Sequence, residues 1–524
     1  MKPRRARTPA VKTLTAGCAI AIVLAAGLGI GAAQAQSRAP IPAAPGQESI
    51  LTNRYNPDYP AGPPYHRLPR PDEIRRRPLA PELRNKMAGT FTIATTGDVH
   101  QNVPVAKRTS PALRAVLTGA DVTIGNFESD LGTRPDLLAQ DMADLGFDLM
   151  APGENGDRKA MRALFDPVGI QIAGNGETLA EARQPAFKEV RQGLVALIAA
   201  CPGIDLCGDP ATDGGRGGAK GGVNPLGLTV WNTVTQQQFD QLKGIRDAML
   251  ARRTQPDVAM PSADAPVEAP GRLTFMNTRY MVGDRPGDIH YEADPADARA
   301  ITLSVRNAKE VADFVVFHMH VHQNRYTFQQ YSLDNYPPDF LQPLLHRLID
   351  NGLDMYVGSG NHSMQGIEIY KGRPIFYNQG NLGNSVDHGT MLPPGGGDLT
   401  NPERGDRLWG NWFGKAGSSA YIARTSYKDG RLVEVRIYPV DIGLGSGPWS
   451  KEHVPTTPTP ARAQEILTDI QRFSEPFGTR IAIENGIGII RVPAAATVDV
   501  AGDQAVAEVK PGASVGGDET GPRR

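Results

Sequence analysis

A charge of one sign is missing from this sequence. Lys and Arg number 55 against 56 Asp and Glu, a formal net charge of −1, so no strong field points the chain at nucleic acid or acidic lipid, and a basic nucleic-acid-binding class is excluded. Aromatic residues make up only 6% and charged residues 21%, which leaves aromatic-cage and coiled-coil classes without support. Past the N-terminal segment no stretch is long and apolar enough for a transmembrane helix. What is plentiful is Gly (58) and Pro (44), nearly a fifth of the chain against about 12% in ordinary proteins; the chain is loop-rich yet globular. With 40% hydrophobic residues over 524 positions it can bury a sizeable core and form one large domain or two or three smaller ones.

The first residues, MKPRRARTPAVK, are basic; Thr13 to Ala35 then carries no charge and ends in Ala33-Gln34-Ala35, a small-x-small pattern. This predicts a secretory signal cut after Ala35 and a secreted or periplasmic protein with no membrane span after cleavage. The alternative is an uncleaved anchor, since the stretch approaches the ~20 apolar residues that span a bilayer, although its many Gly and Ala residues make it weakly hydrophobic. The pair Arg4-Arg5 and the sequence before Cys18 lack the flanking residues that twin-arginine export or lipidation would need. With Cys18 removed, Cys201 and Cys207 remain, spaced C-x5-C in a chain bound for an oxidising compartment, and a local disulfide is expected. A metal reading of that pair has no second Cys or His pair beside it.

The expected organisation is a signal peptide (1–35), a Pro-rich extension (36–88), one domain (89–500) and a charged, Gly-rich tail (501–524) expected to be disordered. Within the domain, FTIATT (91–96), ADVTIGNF (120–127), LVALIAA (194–200), ADFVVFHM (312–319), DMYV (354–357), IEIY (367–370) and PIFY (374–377) read as strands. PPDFLQPLLHRLIDNG (337–352) reads as a helix with Pro near its start and Asn351-Gly352 as its stop. ARAQEILTDIQRF (461–473) reads as another, followed by the strand-like TRIAIE and IGIIRVP. The class is α/β. GGRGGAKGGVNP (214–225) would offer backbone N–H groups with Arg216 or Lys220 to an anion, but it lacks the Lys-Ser/Thr ending of a phosphate-binding loop and reads as a flexible loop.

Four of these strands run into polar turns at their C-terminal ends: Gly97-Asp98-Val99-His100, Glu128, His318-Met-His320-Val-His322, and GSGNH ending at His362. Loops at strand ends on a rigid scaffold bring polar side chains to one point. In an extended chain side chains alternate, so His318, His320 and His322 share one face. Neutral imidazoles with the carboxylates Asp98 and Glu128 make a mixed N/O donor set suited to Zn, Mn or Fe rather than Ca. Any one of these histidines alone reads as an ordinary hydrogen-bonded residue; the cluster reads as a site for one or two metal ions. Two such ions would support metal-assisted hydrolysis of an ester or amide, with Asp98 or Glu128 bridging them.

The stretch GLDMYVGSGNHSMQGIEIYKGRPIFYNQGN (352–381) resembles the CapA family of poly-gamma-glutamate capsule biosynthesis proteins. Support comes from Gly97-Asp98, Asn126-Phe127-Glu128, LGFD (145–148), AGNGETLAEARQPA (173–186) and His320-Val-His322. The resemblance covers roughly residues 91–492. It implies a calcineurin-like metallophosphatase fold: a four-layer β-sandwich flanked by helices, with the metal site at one end. It also implies Asp98 as a ligand of the first metal, Glu128 as the bridging carboxylate, and His320, His322 and His362 as retained histidines, with His100 an extra ligand and Asp98 and His320 the residues on which catalysis depends.

Two departures stand out. Where the family has Ala-Asn-Asn-His after its Gly-Phe-Asp strand, this chain has GFDLMAPGENGDRKAM (146–161), so Asn155, or else Glu154 or Asp157, stands for the amide ligand and no histidine serves the leaving group. In the second, Ser359-Gly360-Asn361 precedes His362, removing one expected nitrogen ligand that His318 would have to replace. Two functions follow: an exported metal-dependent hydrolase of a phosphoester or amide in a cell-envelope polymer, or a non-catalytic envelope protein whose degenerate site binds or helps export an anionic polymer such as polyglutamate.

Overall fold

The structure is a computed structural model that describes residues 83–101, 103–129, 134–153, 157–202, 208–214, 218–252, 269–323, 335–385, 417–443 and 454–493. The expected signal peptide with its Ala35 cleavage site, the tail, and Glu154, Asn155, Cys207 and Arg216 lie outside the described residues.

Alternation along Phe314–His320 decides how that strand is used. Val315, Phe317 and Met319 enter a core shared with helices, while Phe314 and Val316 enter a core between two sheets. His318 and His320 have the parity of the second set, as the period of two requires. The first sheet runs, in spatial order, Ala482–Glu484 (β21), Ile487–Arg491 (β22), Arg431–Asp441 (β20), Ser419–Lys428 (β19), Thr90–Gln101 (β1), Val122–Phe127 (β2), Leu149–Ala151 (β3) and Gln171–Ile172 (β4), with Asn381–Ser385 (β18) also paired to β1. The second runs Ile367–Tyr370 (β16), Arg373–Phe376 (β17), Met355–Ser359 (β15), Phe314–His320 (β14), Gly193–Pro202 (β7) and Ala186–Val190 (β6), with Pro225–Leu226 (β9) beside β7. A ribbon pairs Asn175–Gly176 (β5) with Gly222–Val223 (β8), and a smaller sheet orders Arg272–Phe275 (β11), Thr278–Val282 (β12), Leu228–Val234 (β10) and Ile289–Ala293 (β13).

The two large sheets face each other across Ile93, Ile124, Leu197, Val316, Val357 and Tyr421. Helices Pro111–Thr118 (α1), Pro135–Asp144 (α2) and Arg158–Phe165 (α3) cover the outside of the first sheet through Leu117, Met142 and Phe165. Gln236–Leu250 (α4) belongs to the smaller sheet, and Pro295–Val311 (α5) and Leu341–Asp350 (α6) cover the second large sheet through Ile301, Val305, Leu345 and Leu348. The result is the helix–sheet–sheet–helix sandwich that the resemblance implied. Pro460–Ser474 (α7), whose N-cap Thr459 accepts from the Arg462 N–H, closes the sandwich by placing Ile466, Leu467 and Ile470 in the central core. Each such fully buried aliphatic side chain contributes on the order of 1.5–3 kcal/mol. Met87 joins this core, and Leu83 is buried too, so the chain is already packed before residue 88.

Parallel pairing positions the site. β1, β2, β3 and β4 are successively parallel, as are β7, β14, β15 and β17. Register sets Asp98 level with both Asn126 and Asn381, and His320 level with Ser359. At the opposite end of the second sheet, Asp354 accepts from Lys309 Nζ at 2.7 Å, Arg373 Nη2 at 3.2 Å and the Val315 N–H at 2.9 Å. Lys309 and Asp354 are both buried. From the glycine-rich stretch, Lys220 is spent on an exposed pair with Asp209 at 2.6 Å. Among the described residues no helix is long and apolar enough to cross a membrane.

Candidate metal centre

β1 does not stop at Thr96 but continues through Gly97 and Asp98 to Gln101, with a register shift between Asp98 and Val99. Gly97 is required there: a Cβ would lie 2.1 Å from the Gly380 carbonyl, and that carbonyl accepts the Asp98 N–H at 3.2 Å. Asp98 is fully buried. Its Oδ1 accepts from Asn126 Nδ2 at 2.8 Å and its Oδ2 from the Gly360 N–H at 2.8 Å, so one carboxylate joins the two sheets. Burial works to raise its pKa, but the nearby His362, with the hydrogen bonds from Gly360 and Asn126, outweighs it and holds the carboxyl below its usual range.

The turn after β15 is built on Gly360, in the left-handed region at φ 98°. A Cβ there would lie 2.7 Å from Val321 N and 2.8 Å from the His322 ring, so only glycine lets this turn pack against the histidine strand end. Two residues later His362 itself adopts φ 51°, an uncommon state for a residue with a side chain and one that clusters at functional sites.

Around this frame the ligand-type atoms converge. His320 Nε2 lies 2.6 Å from His322 Nε2 and 3.6 Å from Glu128 Oε1. His362 Nε2 lies 3.6 Å from the same Glu128 Oε1, and His362 Nδ1 lies 3.9 Å from Asp98 Oδ2. Two groups result, Glu128–His320–His322 and Asp98–Glu128–His362, each with its donor atoms within 4.8 Å of one another and all residues buried. Glu128 belongs to both. Burial, followed by the neighbouring imidazoles, holds His320 and His322 well below the usual histidine pKa, so both are neutral at neutral pH, the state in which an imidazole can ligate a metal. A shared buried carboxylate, a second carboxylate and three converging imidazoles fit divalent ions of the Zn, Mn or Fe kind. A cation would also balance two carboxylates whose burial is otherwise unfavourable.

Asp98, Glu128, His320, His322 and His362 thus meet as the sequence suggested. His100 lies beside them, its ring 6.1 Å from that of His362, but in neither group. Burial, with His362 acting in the same direction against Asp98, brings His100 to about 4. His318 is fully buried and also in neither group; burial brings it to about 4, and neither ring nitrogen has a hydrogen-bond partner among the described residues. It lines a cavity of about 10 Å³ with His320, Asn126 and Cys201. Asp157 is exposed and caps α3 by accepting from the Ala160 N–H at 2.9 Å. Cys201 is buried at the end of β7.

Three residues that sequence reasoning did not assign to the site support it. Asn126 Nδ2 lies 2.9 Å from His320 Nδ1, and its oxygen accepts the Gly153 N–H at 3.0 Å. Ser359 Oγ lies 3.1 Å from His320 Nδ1. Asn381 Oδ1 lies 2.9 Å from His362 Nδ1. Their signal in the sequence is position: Asn126 two residues before Glu128, Ser359 at the end of a strand, Asn381 in a Gly-Asn step.

Among known proteins, the chain is 30% identical over 454 residues to the uncharacterized protein y4sH of Sinorhizobium fredii, covering 77% of this chain and 93% of that one. It is 34% identical over 215 residues to a Mycobacterium tuberculosis protein named "Probable polyglutamine synthesis accessory protein", covering 40% and 47% of the two chains. To the PGA biosynthesis protein CapA of Bacillus subtilis it is 36% identical over 88 residues, 17% and 21% of the two chains. The sequence profile of the bacterial capsule synthesis protein family PGA_cap matches residues 92–385, a span that holds every residue of both ligand groups. The chain therefore belongs to the PGA_cap family of bacterial capsule synthesis proteins.

Proposed function

We propose that the protein is an exported metal-dependent hydrolase that cleaves a phosphoester or amide in an anionic cell-envelope polymer of the polyglutamate kind. The observation that carries this reading is Glu128, shared by two buried three-residue ligand groups. Asp98, Glu128 and His362 would hold one divalent ion and Glu128, His320 and His322 the other. Such ions supply Lewis acidity toward the scissile phosphoryl or carbonyl group and lower the pKa of water.

The chain's own residues do the rest. Asn126 and the Gly360 N–H fix Asp98 between the sheets. Pairing of His320 with Ser359, followed by the Val321 N–H to the Ser359 carbonyl at 2.8 Å, would hold His320 and His322 in place for the reaction. His100, its ring 6.1 Å from that of His362, would serve as a further ligand or touch the substrate. At about 4 it is neutral at pH 7 and can accept a proton, but it is a poor donor to a leaving group. Export through the segment ending at Ala35 and a Cys201–Cys207 disulfide belong to the same reading.

The test is to assay the full chain against phosphoester and peptide substrates with added Mn, Fe or Zn, alongside Asp98→Ala and His320→Ala. Each variant removes a ligand of one group only, so turnover should vanish in both while metal content falls from two equivalents toward one. Activity retained in either would overturn the proposal; polyglutamate binding without turnover would favour a polymer-binding protein with a degenerate site.

A further inference from the structure

We propose that Asn381 is a positioning residue that dictates which ring nitrogen of His362 faces Glu128, and so keeps the cluster receptive to a cation; the inference rests on the metal-site reading above. His362 sits at φ 51° in a turn, outside the regular sheet that orients His320, so its ring needs another support. Asn381 supplies it from β18, where pairing with β1 sets it level with Asp98. The side chain is fully buried, and its Oδ1 lies 2.9 Å from His362 Nδ1.

An amide oxygen only accepts hydrogen bonds, so the contact requires the proton of the neutral imidazole on Nδ1. The lone pair is then on Nε2, and Nε2 lies 3.6 Å from Glu128 Oε1. A lone pair facing a carboxylate oxygen in a buried site is unfavourable unless an electrophile lies between them. The other tautomer would turn an N–H toward Glu128 and, on a small approach from 3.6 Å, engage the shared carboxylate internally. By holding the proton on the far nitrogen, Asn381 denies the site that closure. Partners of this kind on ligating histidines fix the tautomer and typically change metal affinity 10-fold to 100-fold.

The test uses the full chain labelled with ¹⁵N-histidine, stripped of metal and held at pH 8, where imidazoles are neutral. Long-range ¹H–¹⁵N spectra, with the His362 signals assigned by their loss in His362→Gln, should show the proton on Nδ1. Zinc titration should then give an affinity about 10-fold to 100-fold weaker for Asn381→Ala. Asn381→Asp, which keeps an acceptor oxygen toward Nδ1, should restore the Nδ1 proton in the ¹H–¹⁵N spectra that Asn381→Ala loses, an effect that neither packing loss nor added charge alone would produce. A proton on Nε2 in the unsubstituted protein, or no rescue by Asn381→Asp when both variants show native circular dichroism, would overturn the proposal. If the tautomer is as stated but the unsubstituted protein binds no zinc, the metal-site reading fails while the role of Asn381 in setting the tautomer stands. Should the alanine variant not fold, the tautomer in the unsubstituted protein still decides.

Discussion

Replacing His318 by leucine should flatten the acid dependence of the metal-free protein's stability. His318 is fully buried, and burial brings it from 6.5 to about 4; in the unfolded chain it returns to the ordinary value. Between those two pH values the unfolded state binds a proton that the folded state does not, so stability falls as pH falls. The contribution is complete above pH 6.5 and is lost as pH drops through the folded value. At 1.36 kcal/mol per pKa unit, the shift is worth about 3 kcal/mol. Urea unfolding with chelator present at pH 7, 5.5 and 4.5 gives the comparison. His100, His322 and the carboxylates also titrate, but they do so in both proteins, so the difference between the two pH profiles reports His318 together with the relief its removal gives to its neighbour His320. The unsubstituted protein should lose approaching ~3 kcal/mol more than the variant by pH 4. Parallel profiles would refute the reasoning.

Two further predictions concern the frame. Asp354→Ala leaves Lys309 buried without its carboxylate partner and should destabilise the fold by roughly 3–5 kcal/mol, read as a lower urea midpoint with the metal site otherwise intact. Gly360→Ala places a Cβ 2.7 Å from Val321 N at a φ of 98°; it should cost more than ~1 kcal/mol and displace His322, lowering metal affinity more than the loss of stability alone would.

Much of the fold was legible because it is written in alternation and apolar spacing. The strand at Phe314–His320 and the helix at Leu341–Asp350 are each strongly patterned, and both lie where the sequence indicated. The smaller sheet was not read, since its strands are short and mostly half-buried, such as β12 with its intermediate exposure, and a weak pattern gives little signal. The hairpin of β19 and β20 was also missed, although it alternates well enough along Arg431–Asp441. In the site, the carboxylates and imidazoles carry their chemistry in their residue type, which is why Asp98, Glu128, His320, His322 and His362 were visible. Asn126, Ser359 and Asn381 act through register across strands far apart in sequence, and register is not written in any one segment. His318 shows the converse: it has the right residue type and the right face, but lies one pair of residues too deep along β14 to reach Glu128's group.

The central claim is that Glu128 is shared by two ion sites. Elemental analysis of the full chain, with His322→Ala and Glu128→Gln beside it, tests this most directly. His322 belongs to one group and Glu128 to both, so the account predicts two metal equivalents per chain, one remaining in His322→Ala, and both weakened or lost in Glu128→Gln. Metal content that is unchanged by Glu128→Gln, or that stays near zero in the unsubstituted protein despite added Mn, Fe or Zn, would contradict it.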